Sequence, residues 1–255
     1  VKLMGVGVTA LVPQKPDDDR QHFYIGQPDG GEFSGIYVYD KNGVTPADLK
    51  VGDEITIEAL YTEFSEQSQL VLSKDLGSVS VTQTGMTVPV TNLPVADMGS
   101  VNTKGAKAEN YESVLLQIDG TVHVAQAVYS TYGEFTISNG TDELVVDDYL
   151  WLDAEQGRFA DQELKNARGI LSFAFGEFKL VPRGPEDMSA GVLLTSTVYE
   201  IQDRTDPKAV PAGNNVLVEN VVVTAVEKAD GPFWGEMLEA DRDARGAKWS
   251  GIYCY

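Results

Sequence analysis

"EFSGIYVYD" occupies Glu32 to Asp40, and "KWSGIYCY" occupies Lys248 to Tyr255. The same strand is written twice: Phe33 to Tyr39 returns as Trp249 to Tyr255 at an offset of 216 (249 − 33). The opening segment returns as well. "VKLMGVGVTAL" reappears as "VLVENVVVTAV", with Val1, Val6, Val8, Thr9 and Ala10 matched by Val216, Val221, Val223, Thr224 and Ala225 at an offset of 215 (216 − 1). One net residue separates the two alignments, so the chain spans one full period of a long repeat and the opening of the next.

Within the period, short runs of alternating apolar and polar residues are bounded by Gly, Pro, Asn and Asp, and no helical stripe of any length appears. The first strand, Val1 to Val12, carries Gly5 and Gly7, which permit a bulge in its middle. "HFYIGQ" (22–27) and "FSGIYVYD" (33–40) form a hairpin across the turn-forming "PDGGE". In "TPADLKVGD" the spacing predicts a short helical turn, with Thr45 as cap, Pro46 at the first position and Gly52 at the end. "DEITIEALYTEF" (53–64) and "SQLVLS" (68–73) complete five strands. That order is the layout of a Greek-key OB barrel. "YESVLLQIDGTVHVAQ" (111–126), "YGEFTISNG", "DELVVDDYLW" and "GILSFAFGEFKLVPR" make a divergent second copy.

The fold expected is therefore all-β: tandem five-stranded OB-like Greek-key barrels, the third incomplete. Residues 1–86 form the first barrel, 87–108 a connector, 109–188 the second barrel, and 189–255 a linker marked by Pro207 and Pro211 followed by the first part of a third barrel. Both ends fall inside a repeat. The expectation is a window from a longer protein, or an open edge completed by a neighbouring chain.

Composition narrows the partners. The 255 residues carry a formal net charge of −20, and a polyanion repels phosphate backbones, so nucleic acid is disfavoured as a partner. The single cysteine, Cys254, excludes an internal disulfide framework and a cysteine zinc site. No apolar run reaches membrane-spanning length, and no membrane insertion is expected.

The succession "GVGVTAL", "FYIGQPDGGEFSGIYVYD", "LKVGDEITIEALYTEF" and "SQLVL" resembles the OB-fold repeats of large secreted or surface-anchored bacterial proteins. It is similar also to the OB modules that accompany extracellular nucleases. The resemblance implies a location outside the cell or at its surface and a role without catalysis. The second unit departs from it, with "ELVVDDYLW" where the first has "GIYVY".

Strand alternation puts Ile36 and Val38 on one face and Gly35, Tyr37 and Tyr39 on the other, with Tyr24 beside them. Tyr253 and Tyr255 recreate that face in the third unit. OB barrels receive oligosaccharides and oligonucleotides there, so Tyr24, Tyr37, Tyr39, Tyr253 and Tyr255 are the candidate ligand residues, and packing against an adjacent barrel is the competing reading. Asp17, Asp18 and Asp19 lie in the loop after the first strand and form a candidate weak calcium site, with no other cofactor expected. His22 and His123 have no nucleophile or second histidine at a telling spacing, so no catalytic residue is assigned.

The expectation for function is a non-enzymatic extracellular repeat module with a structural, spacer or adhesive role, assembling with neighbouring repeats or copies of the same protein. A glycan-binding module using the tyrosine face is the second reading, with a glycan or a protein surface as partner. An accessory OB domain of a secreted nuclease is the third.

Overall fold

A computed structural model describes residues 1–98, 107–155, 158–189, 194–210, 216–227 and 231–254. The first barrel is built from β1 (Lys2–Leu11), β2 (Phe23–Gly26), β3 (Gly35–Asp40), β4 (Glu54–Glu58), β5 (Leu60–Phe64) and β6 (Gln67–Leu72), with β7 (Ser78–Gln83) added to the edge of β4. The fourth OB strand is broken only at the buried Ala59. Its first half, β4, pairs with β1, and its second half, β5, pairs with β6. Since β6 runs parallel to β3, and β3 pairs back through β2 to β1, the ring closes. Closure removes the free edges that an open five-stranded sheet would expose. Val6, Val8, Phe23, Ile25, Val38, Ile55, Ile57, Leu70 and Leu72 fill the interior. β7 lies outside the five strands expected.

The second barrel follows the same plan. Its strands are β8 (Thr91–Leu93), β9 (Leu115–Ile118), β10 (Val122–Gln126), β11 (Phe135–Ser138), β12 (Glu143–Val146), β13 (Glu163–Leu164), β14 (Arg168–Ala174) and β15 (Glu177–Val181). Here the first OB strand is the broken one. β9 pairs with β14 and β10 pairs with β11, while β12 and β15 repeat the parallel pairing of β3 and β6. The segment expected to be a connector belongs to this barrel. β8 pairs in parallel with β9, and the helical turn α1 (Val95–Met98) drives Val95 and Met98 into its core.

In the third unit, β16 (Leu194–Ser196) pairs in parallel with β17 (Val216–Val218), just as β8 does with β9. The stretch expected to be a linker also contains α2 (Val198–Gln202), begun by a capping box in which Thr197 accepts from the Glu200 N–H and Glu200 accepts from the Thr197 N–H. Three antiparallel strands follow, β18 (Val221–Val226), β19 (Phe233–Met237) and β20 (Gly251–Cys254), with α3 (Glu239–Arg245) between the last two. Barrels one and two form one compact body, and the third unit forms another.

One bend recurs in all three first strands. Gly5, Gly120 and Asn220 have φ of 67°, 82° and 59°, in the left-handed region that glycine and asparagine enter at least cost. A few residues on, the pairing to the next strand slips between Val8 and Ala10, between Val124 and Gln126, and between Val223 and Ala225. The bend and the bulge together let one strand turn the corner of a small barrel.

The helical turn expected over Thr45 to Gly52 is absent; that stretch forms turns. The reason is Asp40, which is fully buried and whose carboxylate accepts from the N–H groups of Asn42, Val44 and Thr45 at 3.0 to 3.2 Å. Thr45 is thereby held too early to cap, and its hydroxyl donates to the Gln21 carbonyl instead. Leu49 drops into the core. Burial pushes the Asp40 carboxyl up, but the N–H groups of Val44, Thr45 and Asn42 outweigh it and hold the carboxyl below its ordinary range.

A seam joins the first two barrels. Ala10, Val12, Tyr24 and Tyr37 of the first pack on Leu115, Leu150, Ile170 and Val181 of the second. Polar contacts frame that patch: Arg183 donates to the Thr9 carbonyl (3.1 Å), the Phe33 N–H to the Asn110 carbonyl (2.6 Å), and the Ser68 N–H to Oε2 of Glu112 (3.1 Å). The other carboxylate oxygen of Glu112 is buried without a hydrogen-bond partner. Burial, together with the charges of Glu109 and Glu63, pushes this carboxyl up to about 7.

Two outcomes follow from these carboxylates. Asp40→Ala strands three amide donors and lowers unfolding stability in urea by about 3 kcal/mol. Since the folded Asp40 carboxyl lies below its ordinary value, that contribution is intact at neutral pH and disappears as pH falls through the folded value. Glu112 has the opposite sign: the folded state holds its proton more tightly than the unfolded state, so its contribution to stability is full below the ordinary value of 4.5 and is lost as pH rises towards 7. The difference in stability between the native chain and Glu112→Gln therefore shifts by about 1–2 kcal/mol against the native chain across that interval, and a flat difference would refute the assignment.

Candidate functional site

The tyrosine face lies where alternation placed it, and it is covered. Tyr24 is 1% exposed and Tyr37 8%, their rings tilted at 52° with centroids 5.0 Å apart. The Tyr37 hydroxyl lies 3.4 Å from that of Tyr149 on the second barrel. Tyr39 packs beside them and stacks on His22 at 4.8 Å. Burial pushes both the Tyr24 and Tyr37 phenols well above their ordinary value. A sugar has no access to the Tyr24 and Tyr37 rings, and Tyr39 is partly buried beside them, so the glycan reading built on Tyr24, Tyr37 and Tyr39 is corrected: these residues belong to the seam.

Strand register identifies the counterparts in the other two units. Tyr24 opposite Tyr37 corresponds to Thr136 opposite Val145 and to Trp234 opposite Tyr253. Thr136 and Val145 are buried. Trp234 and Tyr253 are each 43% exposed, their rings tilted at 44° with centroids 4.8 Å apart. A shallow hollow beside them is lined by Gln202, Thr224, Gly235 and Gly251 as well as the two rings. Tyr255 lies outside the described residues. Trp234 was not anticipated from the sequence, because the loop after the first strand is shorter in the third unit and shifts "FW" out of the 215-residue offset. The dipeptide following a bulged strand was the available signal.

The acidic loop does not gather a cation site. Asp18 is engaged by Arg20 through paired contacts of 2.8 and 2.7 Å, which hold its carboxyl well below the usual range. Asp17 adopts a left-handed turn conformation (φ 68°), and Asp19 faces Gly43. Among the described residues, no group of three or more His, Cys, Asp or Glu side chains is arranged to hold a metal.

His22 and Lys179 are engaged in structure. His22 Nδ1 accepts from the Asp40 N–H at 3.0 Å, and burial pulls the imidazole down. In the second barrel, Lys179 is buried between Glu134, Asp147 at 3.4 Å and Glu177 at 4.0 Å. Burial alone would lower the Lys179 ammonium, but Glu134 and Asp147 outweigh it and raise its pKa. Phe64 and Phe175 stand exposed at matching hairpin tips, between β5 and β6 and between β14 and β15.

No family model matches the chain, and no curated protein matches it. Solved structures with some likeness include a murine DNA-binding protein bound with double-stranded DNA, at 12% identity over 75% of this chain and 97% of that one, TM-score 0.33. The tetrameric p202 HIN2 aligns at 12% identity over 76% and 96%, TM-score 0.33, and the Ifi202 HINa domain in complex with 20-bp double-stranded DNA at 15% over 76% and 100%, TM-score 0.32. Two expectations are withdrawn on this finding: that the chain is an extracellular structural, spacer or adhesive module, and that its acidity sets nucleic acid aside as a partner. At such identities and scores the DNA is a property of those proteins and is not carried over to this chain.

Proposed function

We propose that this chain is a non-enzymatic docking module that engages a protein surface through the aromatic face of its third barrel. One observation carries the reading: of the three corresponding OB faces, the first and second are buried and the third presents Trp234 and Tyr253 to solvent. Exposed tryptophan and tyrosine side by side are the residue types that dominate binding energy at protein interfaces. The absence of catalysis is supported by the engagement of His22 with the Asp40 N–H and of the second barrel's carboxylates with Lys179, which leaves no activated nucleophile and base together in these places.

A docking face and a packing face respond differently to truncation. Trp234→Ala leaves the far-ultraviolet circular dichroism unchanged and shifts stability by under about 1 kcal/mol, as for an exposed side chain. Tyr37→Ala, which empties a buried site, costs about 3 kcal/mol or more. If Trp234→Ala proves as costly as Tyr37→Ala in chemical denaturation, the third face is packed within its own unit and the docking reading fails.

A further inference from the structure

We infer that the occupant of the third barrel's face is another OB barrel of the second-barrel kind. This inference rests on the docking reading above and names its partner. The features by which the first barrel accepts the second recur in the third unit, where Trp234 and Tyr253 are each 43% exposed.

Gly35 is the most demanding of them. A Cβ there would sit 2.2 Å from the Ser113 carbonyl oxygen of the second barrel, so only glycine admits the approach of that backbone. Its counterpart by the 216-residue offset is Gly251, where a Cβ would meet, among the described residues, nothing closer than the Gly235 oxygen at 3.7 Å. Among the described residues, nothing in the third unit's packing requires glycine at that position.

Phe33 and Trp249 correspond in the same way. Both are bulky residues held at positive φ, 56° and 67°, a conformation costly for aromatic side chains. At Phe33 it delivers the N–H to the Asn110 carbonyl across the seam. Thr9, whose carbonyl accepts from Arg183 of the second barrel, corresponds to Thr224, and Ala10 in the seam patch corresponds to Ala225. Tyr24 and Tyr37 correspond to Trp234 and Tyr253.

The partner's chemistry is thereby specified. It offers an aliphatic patch like that of Leu115, Leu150, Ile170 and Val181, an arginine placed as Arg183 is to reach the Thr224 carbonyl, and a backbone carbonyl that approaches Gly251. The second barrel of this chain has that surface, but the first barrel occupies it.

The test frees that surface. An opened chain carries Gly35→Val, to part the seam, and Trp234→Ala, so that it cannot fill its own third face. It is mixed with the native chain. The expected result is a one-to-one complex by sedimentation, with hydroxyl-radical labelling of the native Trp234 reduced severalfold, and binding weakened about tenfold or more when the native partner carries Gly251→Val. Tyr37→Ala in place of Gly35→Val provides a second way to part the seam if the valine chain does not fold.

If Gly35→Val folds and leaves Tyr24 and Tyr37 as protected from labelling as before, the glycine is not what admits the cover, and the argument from Gly251 falls. If the seam opens and Trp234 labels equally with and without the opened chain up to about 100 µM, the named occupant is wrong. That failure is distinct from failure of the docking reading itself, which shows as loss of stability in Trp234→Ala with no partner present.

Discussion

A sheet has two faces, and the second and third strands of the first barrel are apolar on both. Phe23, Ile25, Ile36 and Val38 face the barrel core, while Tyr24 and Tyr37 face away from it. A strand apolar on both sides needs cover on both sides, and the second barrel supplies it. The pairing of the two barrels into one body thus begins as a requirement of one hairpin, and the framing contacts of Arg183, Phe33 and Ser68 fix the register of a contact whose driving force is burial. Burial of this kind is also selective. It accommodates a phenol pair within hydrogen-bonding reach of Tyr149 and Ser172, but it leaves one oxygen of Glu112 unsatisfied, which makes that carboxyl the electrostatic weak point of the seam.

The barrels themselves follow from a smaller constraint. Closing five strands into a narrow ring requires the first to serve both a hairpin partner and the fourth strand, so it must bend. Each unit solves this with one left-handed residue, Gly5, Gly120 or Asn220, and one bulge a few residues later. The units differ in which strand is interrupted. The first keeps β1 whole and breaks its fourth strand at Ala59; the second breaks its first strand between Ile118 and Val122. The break falls wherever the backbone can leave the ladder without burying an unpaired donor, as when the Ala59 N–H finds the Val1 carbonyl.

Strand alternation and the 215- and 216-residue offsets were enough to read the barrel order, the hairpins and the inward and outward faces, because each depends on neighbours within a few residues or on self-similarity. The identity of what lies against an outward face depends on a surface formed by residues more than a hundred positions away, and alternation carries no record of it. Tyr24 and Tyr37 therefore looked alike as ligand residues and as packing residues. The misassigned turn at Thr45 has a similar cause: its residues satisfy a helix-start pattern, but the carboxylate of Asp40 at the end of the preceding strand captures the amides first. The lead-in segments were missed because β8 and β16 are only three residues long, too short for alternation to register, and their structure comes from parallel pairing with the strand that follows.

"SGIYVY" and "SGIYCY" each follow a left-handed aromatic residue and contain the same glycine, yet Tyr37 of the first is buried and Tyr253 of the second is 43% exposed. Propensity and patterning determine the strand, whereas exposure depends on whether a complementary barrel is at hand. A positive φ at Trp249 beside a glycine at Gly251 that meets no close neighbour among the described residues repeats the geometry of the first barrel's contact. The second barrel makes the converse point: where Thr136 and Val145 replace the aromatic pair, the left-handed aromatic is missing as well, so the elements of the docking face come and go together.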